Sequence, residues 1–147
     1  MLTTLLLTLA LVAVATGAGL LWRALDGRRR RGSGRLVRPA DVALEPGAFG
    51  DEGTLLQFST EWCARCPATR RLLGEVAGRT PGVRHADVDL TDRPELATRF
   101  DVLQTPTVLV LDARGAEVAR FSGAPRAADV DELLAGLRPA GLAEARS

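Results

Sequence analysis

At 147 residues the chain has room for one ordinary hydrophobic core plus an appendage, not for two cores. Its net charge of +1 hides a split: residues 1–38 hold seven Arg against one acid, a net +6, and residues 39–147 hold twelve Arg against seventeen acids, a net −5. A mildly acidic body with a local basic end argues against nucleic acid as a partner, because a binding domain would carry the basic face itself.

From the N-terminus, Leu2 to Trp22 contains no charged residue. As a helix these residues would reach ~31 Å, enough to cross a hydrocarbon core. Trp22 stands where an interfacial aromatic would anchor the span, and Arg23 and Arg28–Arg31 follow. A cleaved signal peptide is the rival reading, with Ala13-Val14-Ala15 as a small-residue cleavage site. No positive region precedes the apolar run, however, which favours a retained anchor over residues 1–23. The positive-inside rule then predicts that the following domain faces the cytoplasm. Residues 24–39, rich in Arg and carrying Gly32-Ser33-Gly34, have no apolar periodicity and read as a flexible linker.

The folded domain is expected over residues 40–138. Val42-Ala43-Leu44 is a short strand or an initial packing segment. Thr54 to Ser59 is a buried strand candidate after the turn residues Gly50, Asp51 and Gly53. Residues 64–78 carry an apolar stripe at helical spacing, stopped by Thr80-Pro81-Gly82. Val83 to Leu90 alternates as a strand does, and Asp92 can cap a short helix over residues 93–100. Thr107 to Leu111 is the most strand-like run in the chain. Asp112-Ala113-Arg114-Gly115 turns it into Glu117–Phe121, an antiparallel hairpin. A last helix spans residues 125–137, and residues 139–147 form a polar tail. The order β-α-β-α-β-β-α predicts an α/β fold with a mixed central sheet and helices on both faces.

The chemistry is concentrated in Trp62-Cys63-Ala64-Arg65-Cys66-Pro67, between a strand and a helix. These are the only cysteines, too few for a disulfide framework or, with the single His85, for a zinc site, so neither a metal nor a cofactor is expected. A Cys at a helix N-terminus meets unpaired N–H groups and the positive end of the dipole, which favour the nucleophilic thiolate. Cys63 is therefore expected to attack. Cys66, one helical turn inside, is expected to resolve the mixed disulfide, with Cys63 the more exposed of the two.

From Thr54 to Leu137 the chain resembles the thioredoxin family. Trp62-Cys63-Ala64-Arg65-Cys66 stands where that family has its Trp-Cys-x-x-Cys site, and Thr105-Pro106-Thr107 resembles its cis-proline segment. The resemblance implies the thioredoxin fold. It also implies that Trp62, Thr105, Pro106 and Gly123 line a substrate groove, with the backbone of Thr105 pairing to the substrate chain. Ala64-Arg65 departs from the Gly-Pro of the best-known members. Arg65 would stabilise the Cys63 thiolate and make the pair less reducing, or would point into solvent and change little. Gln57 stands where those members keep a buried acid and cannot take the Cys66 proton, which leaves water or Glu61. Pro67 replaces a common Lys. His85 roughly aligns with a Lys near the buried acid; it would relay protons or, as the plainer reading, be a satisfied strand histidine.

The expected function is reduction of protein disulfides by the Cys63/Cys66 dithiol, fed by a reductase or another thiol donor. Residues 2–22 hold it in the membrane. The alternatives are an extracytoplasmic electron relay or oxidase, and a non-turnover redox sensor or interaction module.

Overall fold

A computed structural model describes residues 1–25 and 29–137. The expected polar tail lies outside the described residues, as does the side chain of Trp22.

Helix α1 runs Leu2–Leu25. Its segment Leu2–Leu21 has a mean hydropathy of 2.2 and is not buried against the domain. It is long and apolar enough to cross a membrane, a property that signal sequences near an N-terminus share.

The domain is a five-stranded sheet of β1 (Arg29–Arg31), β2 (Gly53–Ser59), β3 (Val83–Asp89), β4 (Thr107–Asp112) and β5 (Glu117–Ser122), in the order β1-β5-β4-β2-β3. Only β2 and β3 are parallel, joined by α2 (Cys66–Arg79); the other pairings are antiparallel. The mixed sheet is the one that the element order predicts, and the whole is the thioredoxin fold that the resemblance implies. Strand β2 is central and buried throughout. Leu55 faces one core with Val108, Val110 and Phe121, covered by Leu73 and Val76 of α2 and by Val130, Leu133 and Leu134 of α4 (Ala127–Leu137). Leu56 and Phe58 face the other, with Leu109 and Leu111, covered by Leu96 of α3 (Pro94–Arg99) and by Phe100. Period-two alternation on β2 and β4 thus feeds both layers. Val42 is fully buried at the end of a 3-10 turn over Pro39–Val42, so Val42-Ala43-Leu44 packs and does not form a strand.

Of the expected linker over residues 24–39, the described residues 29–39 depart most from expectation. Arg29–Arg31 pairs antiparallel with Ala119–Phe121 instead of forming a free linker. Hydrogen bonds from Gly32 N–H to Val118 O, Gly34 N–H to Glu117 O and Val37 N–H to Gly115 O continue the seam, and Val37 is buried. The backbone does the pairing, while the three Arg side chains stay in solvent. A Cβ at Gly32 would lie 2.2 Å from the Glu117 carbonyl oxygen, so only glycine permits the approach.

A β-bulge sits beneath that seam. Leu109 pairs with Arg120 and Val110 with Ala119, but Leu111 pairs with Glu117, leaving Val118 as the extra residue. Glu117 and Arg120 therefore share one face. Arg120 Nε donates to Glu117 Oε1 at 2.9 Å, Ser33 Oγ donates to Glu117 Oε2 at 2.6 Å, and Arg120 also donates to the carbonyl of Phe100 at 2.8 Å. Burial pushes the Glu117 carboxyl up, but the bonds from Arg120 and Ser33 outweigh it and hold it below the ordinary glutamate value.

Candidate functional site

Strand β2 delivers the chain to the end of the sheet at Ser59. Two tight turns follow: Cys63 N–H donates to Thr60 O and Cys66 N–H to Cys63 O, each at 3.2 Å. Helix α2 starts at Cys66, two residues later than the apolar stripe suggests, with Arg65 as its N-cap and Pro67 in its first turn. Pro67 is suited to that place, where its missing N–H would have had no intrahelical partner. Cys66, not Cys63, thus opens the helix, and Cys63 stands just beyond the positive end of its dipole. The two sulfurs are joined as a disulfide with Cα atoms 5.4 Å apart. Cys63 is half-buried, whereas Cys66 is only 2% exposed.

The facing wall comes from the start of β4 and the end of β5. The Thr105–Pro106 peptide bond is cis. Thr105 Oγ1 lies 3.2 Å from Thr60 Oγ1, which ties the proline segment to the turn leading to Cys63. Gly123, at φ 103°, donates its N–H to Pro106 O at 2.8 Å. The structure therefore brings Cys63, Thr105, Pro106 and Gly123 to one end of the sheet. Trp62 is 82% exposed beside Cys63, and Leu103 is 96% exposed two residues before Thr105. Sequence reasoning passed over Leu103. Its one signal is a large apolar side chain in a loop with no core to fill.

Behind Cys66 lies a polar cluster under α2. Gln57 is fully buried and donates from Nε2 to Cys66 O at 3.2 Å; its Oε1 is buried without a partner. The β2–β3 register sets Asp87 opposite Gln57 and His85 opposite Leu55. The residue facing Gln57 is thus Asp87, which corrects the rough alignment of His85 with that place. Asp87 Oδ2 accepts from Ser59 Oγ at 3.0 Å and from Arg70 at 2.5 Å, while Oδ1 is buried and unpaired. Nothing in the sequence singles out Asp87, because a strand Asp next to Val88 looks like an ordinary solvated alternation; only the parallel register sets it beside the buried Gln57. His85 is half-buried, and desolvation, joined by Arg70, outweighs the attraction of Asp87 and lowers its pKa. Its surroundings therefore favour the uncharged imidazole. Arg65 and Glu61 are exposed, and the Glu61 N–H donates to Thr91 Oγ1 at 3.0 Å.

The thioredoxin family model matches residues 48–136, most of the domain just described. The chain belongs to the thioredoxin family. It is 36% identical over 84 residues to thioredoxin C-3 of Corynebacterium nephridii, covering 57% of each chain. It is 32% identical over 71 residues to thioredoxin H5 of Oryza sativa subsp. japonica, covering 48% of this chain and 53% of that one. The chain spans about half the length of these curated relatives. Among solved structures it is similar to Fasciola hepatica thioredoxin, with a TM-score of 0.52, 27% identity, and coverage of 60% of this chain and 84% of that one. Membership of the thioredoxin family and a Cys63–Cys66 pair at bonding distance together support thiol–disulfide exchange chemistry.

Proposed function

We propose that the protein is a thiol–disulfide oxidoreductase that reduces disulfides in other proteins, drawing electrons from a reductase or another thiol donor. The observation that carries this reading is the asymmetry of the pair: a half-buried Cys63 at the sheet end that also carries Pro106 and Gly123, and a buried Cys66 in the first turn of α2. The Cys63 thiolate attacks a substrate disulfide, forming a mixed disulfide and releasing one substrate thiol. Cys66 then attacks the Cys63 sulfur, releasing the second thiol and restoring the Cys63–Cys66 bond. Two electrons and two protons pass to the substrate.

The reduced full chain should reduce insulin disulfides in a dithiothreitol-coupled turbidity assay; no rate above the dithiothreitol background would sink the reading. Residues 2–22 are proposed to span the membrane, with the domain on the cytoplasmic side. The seven Arg of residues 23–38, with no Arg before the span, support that side. Labelling of Cys63 in intact cells by a membrane-impermeant thiol reagent would place it outside instead and favour an extracytoplasmic relay.

The resolving step needs a proton acceptor, since the Cys66 thiol must give up its proton to attack the Cys63 sulfur. Asp87 is proposed for this role, through a water donating to Gln57 Oε1 and Asp87 Oδ1, two buried acceptors on paired residues. Asp87→Asn should slow resolution of the mixed disulfide by about tenfold or more at neutral pH. Gln57→Asp in the same chain, which returns a carboxylate across the same register, should restore the rate. An unchanged pH profile of resolution in Asp87→Asn would remove Asp87 from the reaction.

Arg65 is proposed to stabilise the Cys63 thiolate by its charge alone. Arg65→Gln should lower the reduction potential by a few tens of mV, at ~30 mV per 1.4 kcal/mol in a two-electron couple. Equilibration with glutathione buffers measures it, and an unchanged potential would leave Arg65 as a solvated surface residue.

A further inference from the structure

Strand register fixes where the chain joins the domain. Phe58 pairs with Thr107, Thr107 with Ser122, and Phe121 with Arg29. Ser59, Pro106, Gly123 and Arg29 therefore mark one end of the sheet, the end that bears Cys63. Gly53 and Asp112 mark the other. The chain coming from α1 enters the sheet at the same end as the cysteine pair, on the β1 edge.

The tether is short. The apolar span ends at Leu21, and the four further residues of α1 reach ~6 Å beyond it. Four Cα steps from Leu25 to Arg29 add at most ~14 Å. Arg29 is thus held within ~20 Å of the edge of any hydrocarbon layer that α1 spans. From β1 across β5 and β4 to β2 is three strand spacings, ~14 Å. Even with the tether fully extended and the sheet upright, the cysteine end of β2 stays within ~35 Å of that layer. The two large apolar side chains most exposed on the domain, Trp62 and Leu103, flank the site at this same end, and the three exposed Arg of β1 suit an anionic headgroup surface.

We propose that the Cys63–Cys66 pair acts on a disulfide carried by a membrane-embedded partner close to the bilayer surface, on the side that holds the domain. This rests on the reading of α1 as a membrane span and of the pair as a reductant. Trp62 and Leu103 supply the apolar contact to the partner. The reaction is that of the reduced pair: Cys63 and Cys66 are oxidised to their disulfide, and the partner's disulfide becomes two thiols.

The test uses the full chain in lipid vesicles, reduced with dithiothreitol and freed of it, in single turnover. Two single-span peptides carry the same disulfide loop, one directly at the membrane surface and one on a rigid helical spacer of ~75 Å. The near loop should be reduced at least tenfold faster than the far one. Inserting about twenty Gly/Ser residues between Gly27 and Arg28 should bring the two rates together by lengthening the tether. Equal rates in the unmodified chain, with the chain floating with its vesicles, overturn the proposal and leave the anchor standing. A chain that does not float removes the anchor and the proposal with it. A floating chain that reduces neither loop, nor insulin, removes the reductant reading instead.

Discussion

Cys66→Ser should stop turnover and leave the protein covalently joined to its substrate through Cys63. Cys66 is 2% exposed behind the half-buried Cys63, so an incoming disulfide reaches Cys63 first. Without the resolving sulfur the mixed disulfide persists, and non-reducing gels should show an adduct that dithiothreitol dissolves. Cys63→Ser should give no adduct, and both variants should lose insulin reduction by on the order of a thousandfold, since residues acting as one unit fail together. Alkylation of the reduced protein with limiting iodoacetamide should mark Cys63 before Cys66. Adducts on Cys66 in the Cys63→Ser variant, with none on Cys63, would reverse the two roles.

The largest expected effect on stability is at Arg120. Its guanidinium is the partner of a carboxylate whose side chain is 1% exposed, and it also holds the carbonyls of Phe100 and Asp101. Arg120→Ala leaves Glu117 charged and buried, which costs ~3–5 kcal/mol, a large share of the margin of an ordinary domain. Replacing both residues by Met should recover most of the loss, because neither charge then needs a partner. Urea unfolding of the full chain in mild detergent measures this; a cost below ~1 kcal/mol for Arg120→Ala would mean that the pair is solvated. The pH dependence follows from the sign of the Glu117 shift. Its folded value lies below its unfolded value, so its stabilisation is complete above the unfolded value and is lost as pH falls through the folded one. Glu117→Gln should flatten that part of the acid limb.

The strands and helices that cover the two cores are legible in the sequence because burial imposes a period. Leu55 against Leu56, and Val108 against Leu109, alternate between faces as a two-sided strand must. The cysteine pair is legible from its place between a strand and a helix. Features carried by backbone alone are not. Arg29–Arg31 has no apolar face to betray it, since its pairing uses N–H and C=O groups that every residue owns. The start of α2 slips by two residues because the turns at Thr60 and Cys63 consume chain before helical register begins. Simple alternation sets Arg120 opposite Glu117, and only the bulge at Val118 brings them together. Asp87 needed the β2–β3 register to be seen facing Gln57.

The Arg29–Arg31 strand also decides where the chain can be cut. A soluble version begun at Ala40, the natural choice for a domain after a linker, would strip β5 of its partner. The Val118 and Glu117 carbonyls that Gly32 and Gly34 satisfy would become an open edge, Gly115 O would lose Val37, and Glu117 would lose Ser33. An unprotected edge of that kind recruits other copies of the chain, strand to strand. A truncation that keeps Arg29 onward retains its own cover strand and should stay monodisperse where the shorter one aggregates.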